Sequence, residues 1–134
     1  MDYAFYVKKS PLSDRDFKIG ISGLENMESR LGTYQNAFGP SYKERFESVW
    51  IGPEQDIREL ERLLKIKFRN KMAGSTRGFT EWVTDISFEE LCLEVQTLII
   101  SLGVTAERPK DTSQIFFEDI QILKNMYLKE KIND

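Results

Sequence analysis

Apolar and polar side chains alternate at the start of the chain, and Tyr3-Ala4-Phe5-Tyr6-Val7-Lys8 and Phe17-Lys18-Ile19-Gly20-Ile21 each read as a strand. Pro11, Ser13 and Asp14 mark a turn between them, and so short a connection predicts an antiparallel hairpin. Side chains alternate across a strand, so Phe5 and Val7 share one face, as do Phe17, Ile19 and Ile21. Tyr6 falls on the other face of its strand, and Lys18 and Gly20 on the other face of theirs. Such a hairpin can present a phenol and an amine together, with no side chain at Gly20 to crowd them.

The period then changes. Ser22-Gly23-Leu24-Glu25 has the form of a capping box and predicts a helix whose inner side carries Leu24, Met27, Leu31 and Tyr34, with Arg30 at its margin. Arg45 to Ile51 reads as a third strand, stopped by Gly52-Pro53. A helix from about Glu54 to Asn70 follows, with Ile57, Leu60, Leu64 and Phe68 as its apolar stripe. On a helical wheel Glu61 lies within about 40° of Ile57, inside the margin of that stripe. A carboxylate facing the interior is costly unless it is paired or bound to a metal, which makes Glu61 the most informative single residue of the pattern. Gly74 to Gly78 reads as a loop and Phe79-Thr80-Glu81-Trp82-Val83 as a short strand. A second capping box, Ser87 to Glu90, leads a helix through Leu91, Val95, Leu98, Ile99 and Leu102. After a linker from Gly103 to Asp111, a last helix from about Ser113 to Lys131 carries Phe116, Ile120, Leu123 and Tyr127 on one side.

Composition narrows the chemistry. The chain has 134 residues, 40% hydrophobic and 31% charged, enough for one compact domain with a core. There is no His, so imidazole zinc sites and Ser-His-Asp or Cys-His arrangements are excluded, and acid-base work falls to Tyr, Lys, Glu or Asp. A single cysteine, Cys92, excludes an internal disulfide and fits a small core residue in a reducing compartment. No apolar run approaches the roughly 20 residues that span a bilayer, and no secretory signal is visible at the start, so a cytoplasmic protein away from the membrane is expected. The net charge of -3 is uneven: residues 1–84 hold 14 Lys/Arg against 12 Asp/Glu, and residues 85–134 hold 5 against 10. The most basic stretch contains Arg58, Arg62, Lys65, Lys67, Arg69, Lys71 and Arg77. It reads either as a nucleic-acid contact or as a solvated helix face with its loop.

The order strand, strand, Arg-bearing helix, strand, Glu-bearing helix resembles the GIY-YIG nuclease superfamily, in particular its phage-type, homing-endonuclease-like branch. Ala4-Phe5-Tyr6 stands for the first tripeptide and Lys18-Ile19-Gly20 for the second. Arg30 stands for the helical arginine, Tyr34 follows one turn later, and Glu61 stands for the metal-binding glutamate. Gly78-Phe79-Thr80-Glu81-Trp82-Val83 is similar to the Gly-rich turn before Glu-Trp-Phe of that branch. The chain departs from the pattern at Ala4 and Phe5, and Lys18 replaces the second tyrosine. The family's additional asparagine or histidine has no counterpart beyond Tyr42 or Glu81.

The resemblance covers about residues 3 to 84 and implies an α+β fold: a small, mostly antiparallel three-stranded sheet flanked by helices, with added C-terminal helices. It divides the chain into a nuclease-like domain, 1–84, and a helical extension, 85–134, that packs on or completes it. It implies a phosphodiester hydrolase acting on DNA with Mg²⁺ or Mn²⁺ held by Glu61, a phosphate bound by Arg30, and a water activated by Tyr6 with Lys18, in a phage or mobile-element setting. Arg58, Arg62, Lys65, Arg69, Lys71 and Arg77 are the candidate DNA contacts. Duller roles stand beside these: Tyr6 and Lys18 as ordinary strand residues, Arg30 paired with Glu25 or Glu28, Tyr34 in the core, Glu61 in a buried pair with an arginine. A DNA-binding or assembly module without turnover, and a homodimer through the last helix, are the competing functions.

Overall fold

The computed structural model describes residues 1–35, 41–74, 80–109 and 114–132. Strands β1 (Tyr3–Lys9) and β2 (Phe17–Gly23) form the expected antiparallel hairpin, with Tyr6 opposite Gly20 and Lys8 opposite Lys18. A single 3₁₀ turn, Leu24–Asn26, leads into helix α1 (Met27–Gln35). Then come β3 (Ser48–Gly52), α2 (Glu54–Lys67), β4 (Met72–Gly74), β5 (Thr80–Val83), α3 (Phe88–Leu102) and α4 (Phe117–Ile132). The class is α+β, as expected.

The sheet has five strands, not three, in the order β3-β1-β2-β5-β4, with every pairing antiparallel. The short segment after α2 was invisible to a pattern search because Met72-Ala73-Gly74 offers three residues and no β-branched side chain. It is recruited by pairing, since β5 supplies a partner for it and lies against β2 in turn.

Two apolar cores lie on the two faces of this sheet. Phe5, Val7, Phe17, Ile19 and Trp50 meet Ile57, Leu60 and Leu64 of α2 and Leu91, Val95 and Ile99 of α3. On the other face, Ala4, Tyr6, Val49 and Ile51 meet Leu24, Met27 and Leu31 and the α4 residues Ile120, Leu123 and Tyr127. Each fully buried large side chain contributes roughly 1.5–3 kcal/mol relative to exposure. The apolar stripes of α2, α3 and α4 therefore set which face each helix covers.

The capping box at Ser22 does not form. Ser22 stays in β2 opposite Ala4, its hydroxyl donates to the Gly23 carbonyl at 2.8 Å, and the ladder outcompetes the cap. At Ser87 no ladder competes, and its Oγ accepts from the Glu90 N–H at 3.1 Å. The last helix starts later than expected: the Asp119 carboxylate takes the Phe116 N–H at 2.9 Å, leaving Phe116 ahead of the helix. Ser113 lies outside the described residues.

The outer edge of β3 is closed by the C-terminal third. Ile51 and Glu107 exchange two backbone hydrogen bonds of 2.8 Å, and Phe46 and Ile115 exchange two of 2.9 Å. Among the described residues, no helix is long and apolar enough to cross a membrane.

This closure predicts a sensitive position. A Cβ on Gly52 would run into the carbonyl oxygen of Thr105, which is backbone and cannot rotate aside. Gly52→Ala is expected to lose stability at or above the upper end of about 1–3 kcal/mol, read as a lowered denaturant midpoint. An unchanged midpoint contradicts the packing of this segment on β3.

Candidate active site

The hairpin sets the first part of the site. Tyr6 is 3% exposed, and its ring lies over Gly20 and 4.8 Å from the ring of Phe46. A Cβ on Gly20 would come within 2.5 Å of the Tyr6 hydroxyl oxygen, so the phenol occupies the space that glycine leaves. Lys18, half-buried, lies one same-face position before Gly20, and Ser22 one position after it. Successive same-face positions on a strand are about 6.6 Å apart. Lys18, the Tyr6 phenol at Gly20, and Ser22 therefore form a row along β2.

The row borders an open edge. Among the described residues, β5 pairs only with Phe17 and Lys18, and no strand covers Ile19 to Gly23 on that side. Helices from the two faces meet around this edge. Arg30 from α1 and Arg58 from α2 line one pocket of about 180 Å³ with Tyr3, Ser22 and Asn26. Arg58 is anchored there: its Nε donates to Glu54 at 2.7 Å and a terminal nitrogen to the Tyr3 hydroxyl at 3.3 Å. Arg30 is exposed and does not pair with Glu28, whose carboxylate accepts from Lys124 at 2.6 Å.

Glu61 sits on the α2 face of the sheet, with the sheet between it and Tyr6 and Lys18. Helix α2 begins near the Tyr3–Gly23 end of the hairpin and returns toward Phe17, since Gly52 pairs with Tyr3 and Met72 with Val83 beside Phe17. Glu61 is three residues beyond Arg58 on the same flank, about 4.5 Å farther along the axis. It is not among the residues that line the pocket of Arg30 and Arg58, so the structure does not bring it together with Arg30, Tyr6 and Lys18. Its side chain is 20% exposed, with an oxygen 3.7 Å from Lys65 Nζ. Among the described residues, no group of three or more acidic or thiol side chains converges on a metal position. The chemistry of Glu61 still suits a hard cation, because a half-open carboxylate leaves the remaining coordination to water and substrate.

The basic stretch is partly neutralised by its own neighbours. Arg62 is held by Glu59 through bonds of 2.6 and 3.0 Å, Arg58 by Glu54, and Lys67 by Glu94 of α3. Lys71 donates to the Asp85 carbonyl at 2.8 Å. Lys65 flanks Glu61, and Arg69 is exposed. Arg77 lies outside the described residues, as do the side chains of Tyr34 and Glu81.

Sequence reasoning missed a buried ion pair. Lys8, opposite Lys18, is paired with Glu44, and it also donates to the Arg45 carbonyl at 3.2 Å. Both side chains are almost fully buried. Burial pulls the Lys8 ammonium below its ordinary value, against the Glu44 carboxylate, which pulls it up, and with the Lys18 charge repelling it. Tyr42 belongs to this cluster and not to the arginine pocket: burial and then Glu44 push its phenol up. Cys92 is half-buried against the first core, and burial raises its thiol, as a core residue requires. The alternation that puts Lys8 beside Tyr6 was readable, but Glu44 has no periodic signal that marks it as buried.

No family model, curated protein or solved structure matches the chain.

The buried pair generates a prediction. Glu44→Ala strands a buried ammonium and should cost about 3–5 kcal/mol, whereas Lys8→Met together with Glu44→Leu should cost far less. The unfolded chain keeps the Lys8 proton up to about pH 10.5, and the folded chain releases it at lower pH. Stability should thus rise as pH climbs from the folded-state value toward 10.5, and be insensitive to Lys8 below that window. Denaturant midpoints across the alkaline range test this, and Lys8→Met should remove the rising part of the profile that lies below pH 10.5.

Proposed function

We propose that the chain is a metal-dependent endonuclease that hydrolyses phosphodiester bonds in DNA, with its centre at the open edge of β2. One observation carries the reading: Arg30 and Arg58, from helices on opposite faces of the sheet, converge on a single polar pocket beside the hairpin. Glu54 offsets the charge of Arg58, and a phosphate diester offers oxygens to both guanidinium groups.

The residues divide the work by position. Arg30 donates to the non-bridging oxygens and stabilises the charge that builds on them in the transition state. Arg58, already fixed by Glu54 and Tyr3, holds the neighbouring backbone in register. Attack by water on phosphorus breaks the bond to the 3′ oxygen, and the proton of that water leaves to bulk solvent. Tyr6 is almost fully buried, so the Lys18 ammonium, half-buried in the same row and in reach of solvent, is the group that steadies the attacking hydroxide. Tyr6 then orients the water or Lys18 through its hydroxyl oxygen. Glu61 is the residue that would hold a Mg²⁺ or Mn²⁺ ion, which supplies Lewis acidity to the phosphate and to the departing oxygen.

A second reading has its own support. The 3% exposure of Tyr6 and the local pairing of Arg58 and Arg62 also suit a module that binds DNA without cutting it. A homodimer through α4 draws on Ile122 and Met126, exposed at 58% and 54%, one turn apart. Two side chains fall far short of the roughly 20–30 residues a side of a standard interface.

Nicking of supercoiled plasmid in Mg²⁺ decides between the first two. Arg30→Ala and Glu61→Ala should each slow nicking about 100-fold or more while circular dichroism stays that of the wild type. Nicking that survives both substitutions rejects this site. DNA binding by the wild type without cleavage in either metal favours the binding module.

A further inference from the structure

Trp82 is not explained by the fold. It lies in β5 directly between Lys18 of β2 and Ala73 of β4, yet it belongs to neither apolar core, although its neighbour Val83 is fully buried in the first. By alternation its indole is on the Tyr6 and Lys18 face. The helices on that face, α1 and α4, pack over β1 and β3. The indole instead walls a cavity of about 210 Å³ with Ser10, Asp16, Ala73 and Thr84. Among the described residues no helix covers this half-buried indole, whose broad apolar face suits a flat partner.

The rim of the cavity says what that is. The volume is below the roughly 300–1,000 Å³ of drug-sized ligand sites and suits a single ring system. The Ser10 hydroxyl already accepts from the Leu12 N–H at 3.1 Å, and the Thr84 hydroxyl donates to the Lys71 carbonyl at 2.8 Å. Asp16, half-buried, brings a carboxylate to the same rim, and a carboxylate only accepts hydrogen bonds. Lys18, the cross-strand neighbour of Trp82 about 5 Å away by sheet geometry, puts a positive charge next to the ring site. A flat ring with edge donors and an attached phosphate is a nucleotide.

We infer that Trp82 and Asp16 form a stacking subsite for one unpaired nucleobase, guanine in preference to thymine, beside the phosphate-binding edge of β2. The base lies on the indole, and its phosphate points to Lys18 and on toward Gly20. Guanine presents two adjacent N–H donors that one carboxylate accepts together, whereas thymine presents one. A base inside a duplex cannot reach the indole, so the subsite takes single strands, ends or an extruded nucleotide. The inference rests on the nucleic-acid reading above but not on cleavage.

The test therefore uses binding in EDTA, where no metal-dependent turnover occurs. Intrinsic fluorescence of the full chain is titrated with a single-stranded pentathymidine, with the same strand carrying a central guanine, and with a blunt duplex. Trp50, 1% exposed, provides a constant background, so quenching reports Trp82. The guanine strand should quench and bind about tenfold more tightly than pentathymidine, and the duplex should not quench. With a labelled guanine strand and anisotropy as readout, Trp82→Ala should weaken binding at least about tenfold. Trp82→Phe, which keeps a ring in β5, should weaken it less. Asp16→Asn, a change outside the sheet, should equalise the two strands. Absence of quenching by every strand, equal binding of duplex and single strand, or an unchanged guanine preference in Asp16→Asn overturns the subsite. Loss of nicking in Glu61→Ala with quenching intact leaves the subsite standing, so the two readings fail separately.

Discussion

The pairing of Tyr6 with Gly20 is the constraint on which the rest depends. With a side-chain period of two, a slip of one residue in the β1–β2 ladder would exchange Tyr6, Lys8 and Lys18 for Phe5, Val7 and Phe17 on each face. The register is held because the phenol needs the space above a residue without a side chain, and Gly20 supplies it. Once that is fixed, the polar row along β2 and the two cores on either side follow from alternation alone. The sheet then needs α2 and α3 on one face and α1 with α4 on the other, as their apolar stripes allow.

The open edge of β2 is where the two faces communicate. Among the described residues no strand continues β5 along Ile19 to Gly23, and there α1 and α2 bring side chains to the same pocket. Charge is organised around this edge. The carboxylates of Glu54 and Glu59 restrain the flank of α2, and Lys124 removes Glu28 from Arg30. The acidic C-terminal third, which argues against nucleic-acid binding when charge is counted over the whole chain, supplies one of those restraining partners: Glu94 holds Lys67. Net charge is therefore a poor guide to what this edge attracts.

Much of this was legible in the sequence where a period carries the information. The hairpin, its register class, the stripes Ile57-Leu60-Leu64-Phe68 and Leu91-Val95-Ile99, and the cap at Ser87 all follow from alternation, helical spacing or a local hydrogen bond. Glu61 at the margin of its stripe was readable for the same reason, and its side chain is 20% exposed, beside Lys65 and not an arginine. What escaped was long-range. Ser22 looked like a cap because nothing local reveals that Ala4 will claim it as a strand partner. Met72 to Gly74 became a strand through β5, and Glu44 was buried by Lys8, thirty-six positions away. Tyr3, Asn26 and the unassigned rim of Trp82 joined pockets only when distant elements packed. The separation of Glu61 from Tyr6 by the sheet was equally invisible, because a helical wheel gives a direction on the helix but not the face of the sheet it covers.

The proposed function is spatial: Glu61 would hold a divalent cation on the α2 face beside β2. Paramagnetic broadening of backbone amide signals by substoichiometric Mn²⁺ tests this directly, without reference to turnover. The account predicts that broadening centres on Ile19 to Ser22 and on Arg58 to Lys65, and disappears in Glu61→Gln. Broadening centred on the acidic start of α3, around Glu89 and Glu90, or a pattern indifferent to Glu61→Gln, contradicts it.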